Sequence, residues 1–388
     1  MIARKMRHKL TTLASQYPLV TVTGPRQSGK TTLCRRAFPH FRYLSFEDPD
    51  LRHFASEDAR RFLQTYPREC ILDEIQRVPT LLSYLQTHVD QTNQSGQFVL
   101  TGSQNFLLSE HITQSLAGRT ALLNLLPFSL EELQNAGLLD DSLDRTMFTG
   151  GYPRLFDKHI DPVDFYPFYI TTYVERDVRL IKNITDLSLF DRFLKLCAGR
   201  IGSQVNLSKL ANDCGITHNT ARAWLSVLEA SFIIFFLKPY YRNFNKRLVK
   251  SPKLYFHDTG LACSLLGMEH AAQCATHYLR GELFESLVLS ELIKFRLNRG
   301  RASNLYYWRD KAGHEIDCLV DHGAQLHAVE IKSGATITSD YFSGLSFWRT
   351  LTGEHCLFVI YGGNESQKRS AATVLPWTQA TRIMREGA

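Results

Sequence analysis

No two of the eight cysteines stand in C-x-x-C spacing; they are scattered from Cys34 to Cys356. That scatter argues against a structural zinc site or a disulfide framework and fits a reducing cytoplasm. Long apolar runs are lacking too. The longest, "SFIIFFLKPYY", is broken by Lys238 and Pro239 and is too short to span a bilayer. The opening "MIARKMRHKLTTLASQYPLV" is basic but has no apolar stretch of signal-peptide length. Neither an internal repeat nor a low-complexity linker is present. Charge of one sign does not dominate, since 45 Lys and Arg against 38 Asp and Glu leave +7. A soluble cytoplasmic protein with no membrane partner is expected. Its mild basicity permits a nucleic-acid partner without requiring one.

What is present is ample material for cores. A chain of 388 residues, 44% hydrophobic and 21% charged, is too long for one ordinary domain. Residues 18 to 130 alternate short apolar strands ("PLVTVTG", "FRYLSF", "RECILDE", "GQFVLTGS") with helical patterns, which predicts a parallel sheet with crossover helices. From about 160 to 235 the period is helical, and after "RGELFESLVLSELIKF" strands return.

The stretch "VTVTGPRQSGKTTL" fits G-x-x-x-x-G-K-[ST] between a strand and a helix. Gly24, Pro25, Arg26, Gln27, Ser28 and Gly29 would wrap backbone N–H groups around the phosphates of ATP, with Lys30, Thr31 and Thr32 opening the helix. Lys30 would reach the β and γ phosphates and the Thr31 hydroxyl would ligate Mg2+. In "CILDEIQ" a buried strand ends in Asp73, placed to hold the same ion through water. The following Glu74 can polarise the attacking water. The next strand tip carries Thr101 and Ser103, either a sensor of the γ-phosphate or ordinary turn residues. Arg119 in "SLAGR" is a candidate arginine finger or cis sensor, or else a plain surface arginine.

Taken together, "GPRQSGKTTL", "LDEIQRVP", "FVLTGSQNFLL", "SLAGRTALLNLLPFSLEEL" and "GGYPRL" resemble a family of prokaryotic AAA+-type ATPases whose C-terminal region is known only as a domain of unknown function. The likeness runs over nearly the whole chain. It implies an α/β fold with a parallel-sheet P-loop NTPase core over 1–150 and a helical lid or connector over 151–190. A winged-helix middle domain over 191–275 and a restriction-endonuclease-like α/β domain over 276–388 would follow.

The residues of the middle block support a helix-turn-helix on their own. In "VNLSKLANDCGITHNTARAWLSVLEASFII", Ala211, the Gly215 turn and a Thr217 cap precede a second helix. Leu210, Ile216, Ala221, Trp224 and Leu228 would be buried, leaving His218, Asn219, Arg222 and Ser226 exposed for DNA. A wing would follow. Its acid-free run from 240 to 253 holds Arg242, Lys246, Arg247, Lys250 and Lys253 among aromatic rings, suited to phosphate contact. The plainer alternative is a spacer or subunit contact with a solvated basic hairpin.

For the terminal block the resemblance assigns nuclease-like roles to Glu285, Asp317, Glu330 and Lys332: carboxylates for Mg2+ and a lysine for water. Glu330 and Lys332 in "HAVEIKSG" are two apart on a strand and share a face. Three functions follow as expectations. The first is an oligomeric ATPase, such as a hexameric ring, that binds and remodels or translocates on DNA, branched DNA included. The second is an ATP-regulated nuclease, and the third a nucleotide-gated signalling or defence switch that binds protein.

Overall fold

Five short strands, the central three buried on both faces by helices and the two at the edges partly exposed, organise the first third of the chain. The computed structural model describes residues 2–92, 94–102, 116–174, 186–241 and 251–385. Strands β1 (Leu19–Thr23), β2 (Arg42–Ser45), β3 (Cys70–Asp73), β4 (Phe98–Gly102) and β5 (Thr120–Asn124) form an all-parallel sheet in the order β2-β3-β4-β1-β5. Alternate residues feed two separate cores. Val20, Val22, Ile71, Val99 and Leu123 pack with Met6 and Leu10 of α1 (Met6–Ala14) and Leu33 of α2 (Lys30–Ala37). Leu19, Leu72 and Leu100 pack on the other face, with Phe62 and Leu85 of the helices between the strands.

A run of helices follows: α3 (Leu130–Asn135), α4 (Leu143–Thr149), α5 (Pro153–Lys158) and α6 (Pro162–Tyr169), then α7 (Leu187–Ala198), α8 (Leu207–Cys214) and α9 (His218–Ala230). Asn206 and Thr217 cap α8 and α9 with their side chains, and Gly215, at φ 79°, makes the turn between them. Strands β6 (Ile234–Pro239) and β7 (Lys253–Phe256) then pair as an antiparallel hairpin.

The hairpin of the middle block is continuous with the terminal strands. β6 pairs parallel with β8 (Leu305–Arg309), at Lys238↔Tyr306 and Pro239↔Tyr307. With β9 (Glu315–Asp321), β10 (Leu326–Lys332), β11 (Leu357–Tyr361), β12 (Gln367–Lys368) and β13 (Thr373–Pro376), this makes one eight-stranded sheet in the order β12-β13-β11-β10-β9-β8-β6-β7. The hairpin thus belongs to the terminal sheet as much as to the helix pair. The helix α10 (Arg280–Leu297) lies beneath the sheet, buried along most of its length, so its apolar residues show no single face.

That burial leaves two charges inside. Lys294 Nζ donates to Glu291 Oε1 at 2.8 Å and to the Phe128 carbonyl at 3.0 Å, while the Leu130 N–H donates to Glu291 Oε2 at 2.7 Å. Burial pushes the Glu291 carboxyl up, and Lys294 opposes it. Lys294→Met should cost about 3–5 kcal/mol by stranding Glu291. Glu291→Leu with Lys294→Met should recover much of that loss. Urea unfolding of the single and double variants checks it; a mild single variant would show that the pair is not what closes this junction.

Candidate active site

The phosphate loop is shaped by what its glycines must avoid. Gly24 leaves β1 at φ 147°, and a Cβ there would lie 2.1 Å from the Leu125 carbonyl oxygen, so no side chain fits. Gln27 and Gly29 are also left-handed, at φ 59° and 91°, and Gly29 caps α2. Pro25, Arg26 and Ser28 complete the arch, with Thr31 half-buried and Thr32 exposed on the first turn of α2. Lys30 Nζ folds back to donate to the Gly24 and Pro25 carbonyls at 3.0 and 2.8 Å. Ser28 Oγ is buried without a hydrogen-bond partner. An orphan hydroxyl, a helix N-terminus and a buried ammonium in one concavity fit a nucleotide polyphosphate.

Two adjacent strand tips face this loop. Asp73, at the end of β3, accepts from Thr31 Oγ1 at 3.1 Å, from Tyr43 Oη at 2.6 Å and from Thr101 Oγ1 at the end of β4. Thr31 and Asp73 therefore meet where Mg2+ would be held beside the phosphates. Burial and the Asp73 carboxylate push the Tyr43 phenol up to about 12, so it remains a donor. Glu74 takes a left-handed conformation at φ 56°, uncommon outside glycine, and accepts a hydrogen bond from the Gln76 amide.

Three groups that hold the loop or the facing Asp73 were not singled out by sequence. Arg4, before α1, donates to the Ser28 carbonyl at 3.0 Å and pairs with Glu132 at 3.1 Å. Tyr169 Oη donates to the Arg26 carbonyl at 3.4 Å. Tyr43 had no local mark, being one aromatic among many. Arg119 sits at the opposite end of the sheet, before β5, in a two-point ion pair with Asp90 at 2.6 and 2.8 Å. A cis-sensor role is excluded by that position, because β1 and β5 run parallel and the loop leaves their far end. Ser103 lies outside the described residues.

The helix pair exposes His218, Asn219, Arg222 and Ser226 on α9, while Leu210, Ala221, Trp224 and Leu228 are buried and Ile216 is partly so. Arg242, Lys246, Arg247 and Lys250 lie outside the described residues. Lys253 corrects the expectation for the basic run. It is buried, with its ammonium turned inward onto Glu315 at 2.5 Å and Glu285 at 3.4 Å. Period-2 alternation in "KLYF" puts Lys253 and Tyr255 on one face, and both reach Glu285.

The four nuclease-like residues do converge. Lys332 Nζ lies 2.7 Å from Glu330 Oε2 and 3.2 Å from Asp317 Oδ2. Glu285, Asp317 and Lys332 line one open cleft of about 330 Å³. The β9–β10 ladder ends at Cys318↔Val329, and the Asp317 carboxylate accepts the freed Ile331 N–H at 2.8 Å. Lysines stand among these acids, however. Among the described residues no three His, Cys, Asp or Glu side chains are grouped to hold a metal ion. The metal set implied for this domain does not fit as the acids stand.

Burial, with Asp317 beside each, lifts Glu330 to about 8 and Glu285 to about 7. Both are raised in the fold, so their contribution is complete below the ordinary glutamate range and is lost as pH rises through about 7 to 8. Unfolding free energy should fall across that window, and Glu330→Gln should flatten part of the slope in denaturant titrations. At the phosphate loop, Lys30→Ala should abolish nucleotide binding, whereas Glu74→Gln should bind ATP and hydrolyse it at least about tenfold more slowly. Wild-type turnover in Glu74→Gln would remove that carboxylate from catalysis.

Residues 16–134 match the family model described as an AAA domain. Residues 140–272 and 280–380 match models described as domains of unknown function, DUF8612 and DUF4143. An uncharacterised protein of Mycobacterium tuberculosis is 29% identical over 324 residues, covering 82% of this chain and 71% of its own. One of Methanocaldococcus jannaschii is 24% identical over 337 residues, covering 77% and 71%. Among solved structures, a Walker-type ATPase of Pyrococcus abyssi is 16% identical with a TM-score of 0.46, over 67% of this chain and 94% of that one. Among the described residues no helix is long and apolar enough to cross a membrane. The loop geometry, the paired Thr31 and Asp73 and the matched family model converge: the chain carries an AAA-type P-loop ATPase domain.

Proposed function

We propose that the chain hydrolyses ATP with Mg2+ and binds DNA through its helix pair and hairpin, using turnover to remodel DNA or move along it as an oligomer. In this reading loop N–H groups and Lys30 bind the phosphates, and Thr31 with Asp73 holds the ion. The ion, when bound, neutralises charge on the phosphate oxygens. Glu74, released from Gln76, orients the attacking water. Because Arg119 stands at the edge away from its own loop, a finger role would have it exchange Asp90 for the phosphates of a neighbouring subunit.

One observation carries the DNA reading. A groove of about 750 Å³ runs between α9 and the root of the hairpin, with His218, Arg222 and Ser226 on one side and Ser251 on the other. Among the described residues no carboxylate lines it. A phosphate backbone can approach such a groove without like-charge repulsion, and a wing helix-turn-helix reads DNA in that geometry.

ATP turnover measured with single-stranded, duplex and branched DNA tests the reading. Stimulation by at least one form is expected, and turnover indifferent to all three would move the helix pair to a protein partner. Arg222→Ala should weaken duplex binding. Neutralising Lys246, Arg247 and Lys250 together should lower the slope of log affinity against log salt by about 2–3. An unchanged slope would take the hairpin out of the interface.

A further inference from the structure

Glu285 on α10, Glu315 and Asp317 on β9, and Glu330 on β10 are brought to one corner of the terminal sheet. Each already faces a cation. Lys253 Nζ bridges Glu315 at 2.5 Å and Glu285 at 3.4 Å, and Arg309 also pairs with Glu315, at 3.1 Å. Lys332 bridges Glu330 and Asp317. Four acidic side chains are thus set against three cations, and each acid already has a basic partner.

Lys253 is the unusual member. It comes from the hairpin strand β7 rather than from the two strands and the helix that supply the acids. Its side chain is 6% exposed, with Nζ 5.4 Å above the Tyr307 ring. Burial opposes its charge, yet Glu285, Glu315 and Asp317 together hold the ammonium above its usual range. Tyr255, two residues along the same strand, donates to Glu285 as well. An ammonium with three donors, pinned between carboxylates and roofed by an aromatic ring, meets the electrostatic need that Mg2+ or Mn2+ meets in an open acidic site.

We propose that Lys253 takes the place of a divalent cation between Glu315 and Glu285, beside the cleft that Glu285 lines, a tethered counter-ion that fastens the hairpin to the terminal domain and keeps metal out. The inference is independent of the ATP and DNA readings. Removing Lys253 leaves Glu285 and Glu315 without their shared partner, and a divalent ion is then the cation that can balance them.

Mn2+ titration of the nucleotide-free protein, with bound ion read by electron paramagnetic resonance, tests this. The wild type should show no Mn2+ binding that Asp317→Asn removes. Lys253→Met should gain a site, tightening Mn2+ binding by about tenfold or more, and adding Asp317→Asn should abolish the gain. A wild-type site lost in Asp317→Asn would overturn the proposal, as would a folded Lys253→Met that binds no more Mn2+ than wild type. If Lys253→Met does not fold in metal-free buffer, Mn2+ should restore its circular dichroism. Failure to restore it would equally overturn the proposal.

Discussion

A short backbone segment, Leu125 to Leu130, is claimed from both sides, and the rest of the molecule is assembled on it. The Leu125 N–H donates to the Thr23 carbonyl at 2.7 Å, and the Leu125 carbonyl leaves no room for a Cβ on Gly24. Arg4 donates to the Leu126 carbonyl and lies 4.7 Å over the Phe128 ring. Phe128 donates to the Gly151 carbonyl at 2.8 Å and accepts from Lys294 at 3.0 Å. Glu291 takes the Leu130 N–H. Buried peptide groups need partners, and here those partners come from Arg4, the end of β1, the "GGYPRL" turn and the terminal helix.

Such a segment links the phosphate loop to the hairpin side of the molecule by hydrogen bonds. The phosphate loop rests on Arg4 through the Ser28 carbonyl and on Tyr169 through the Arg26 carbonyl, and Tyr169 accepts from Tyr152 at 2.9 Å. Tyr152 follows Gly151, whose N–H donates to Asp258 at 2.8 Å just beyond the hairpin. A change at the loop on ATP binding or loss has a continuous, well-packed route to the elements proposed to hold DNA. Contact alone does not prove energetic coupling; a difference in affinity between states does.

Much of the ATPase domain was legible because its signals are local. The loop glycines, Lys30, Thr31, Asp73 and Glu74 lie in fixed spacing around two strand ends, and burial on both faces gives unbroken apolar strands. The helix pair was legible for the same reason, since the period of α9 separates Trp224 and Leu228 from Arg222 and Ser226. What escaped depends on distant pairing. Arg4 looked like one more basic residue near the start, yet it is buried because Glu132 and two carbonyls lie over it. Lys253 looked like the end of a basic run, and only the fold brings Glu285 and Glu315 to it. The parallel pairing of β6 with β8, at Lys238↔Tyr306 and Pro239↔Tyr307, likewise joins residues far apart in the chain.

The decisive measurement is the DNA affinity of Glu74→Gln with saturating ATP, set against the same protein without nucleotide. If the phosphate loop and the helix pair are joined through the Leu125–Leu130 segment, the two affinities differ by about fivefold or more, in either direction. Arg4→Ala, which cuts one of the links, narrows that difference. Equal affinities in the two states, with both nucleotide and DNA shown to bind, would contradict a DNA-linked ATPase.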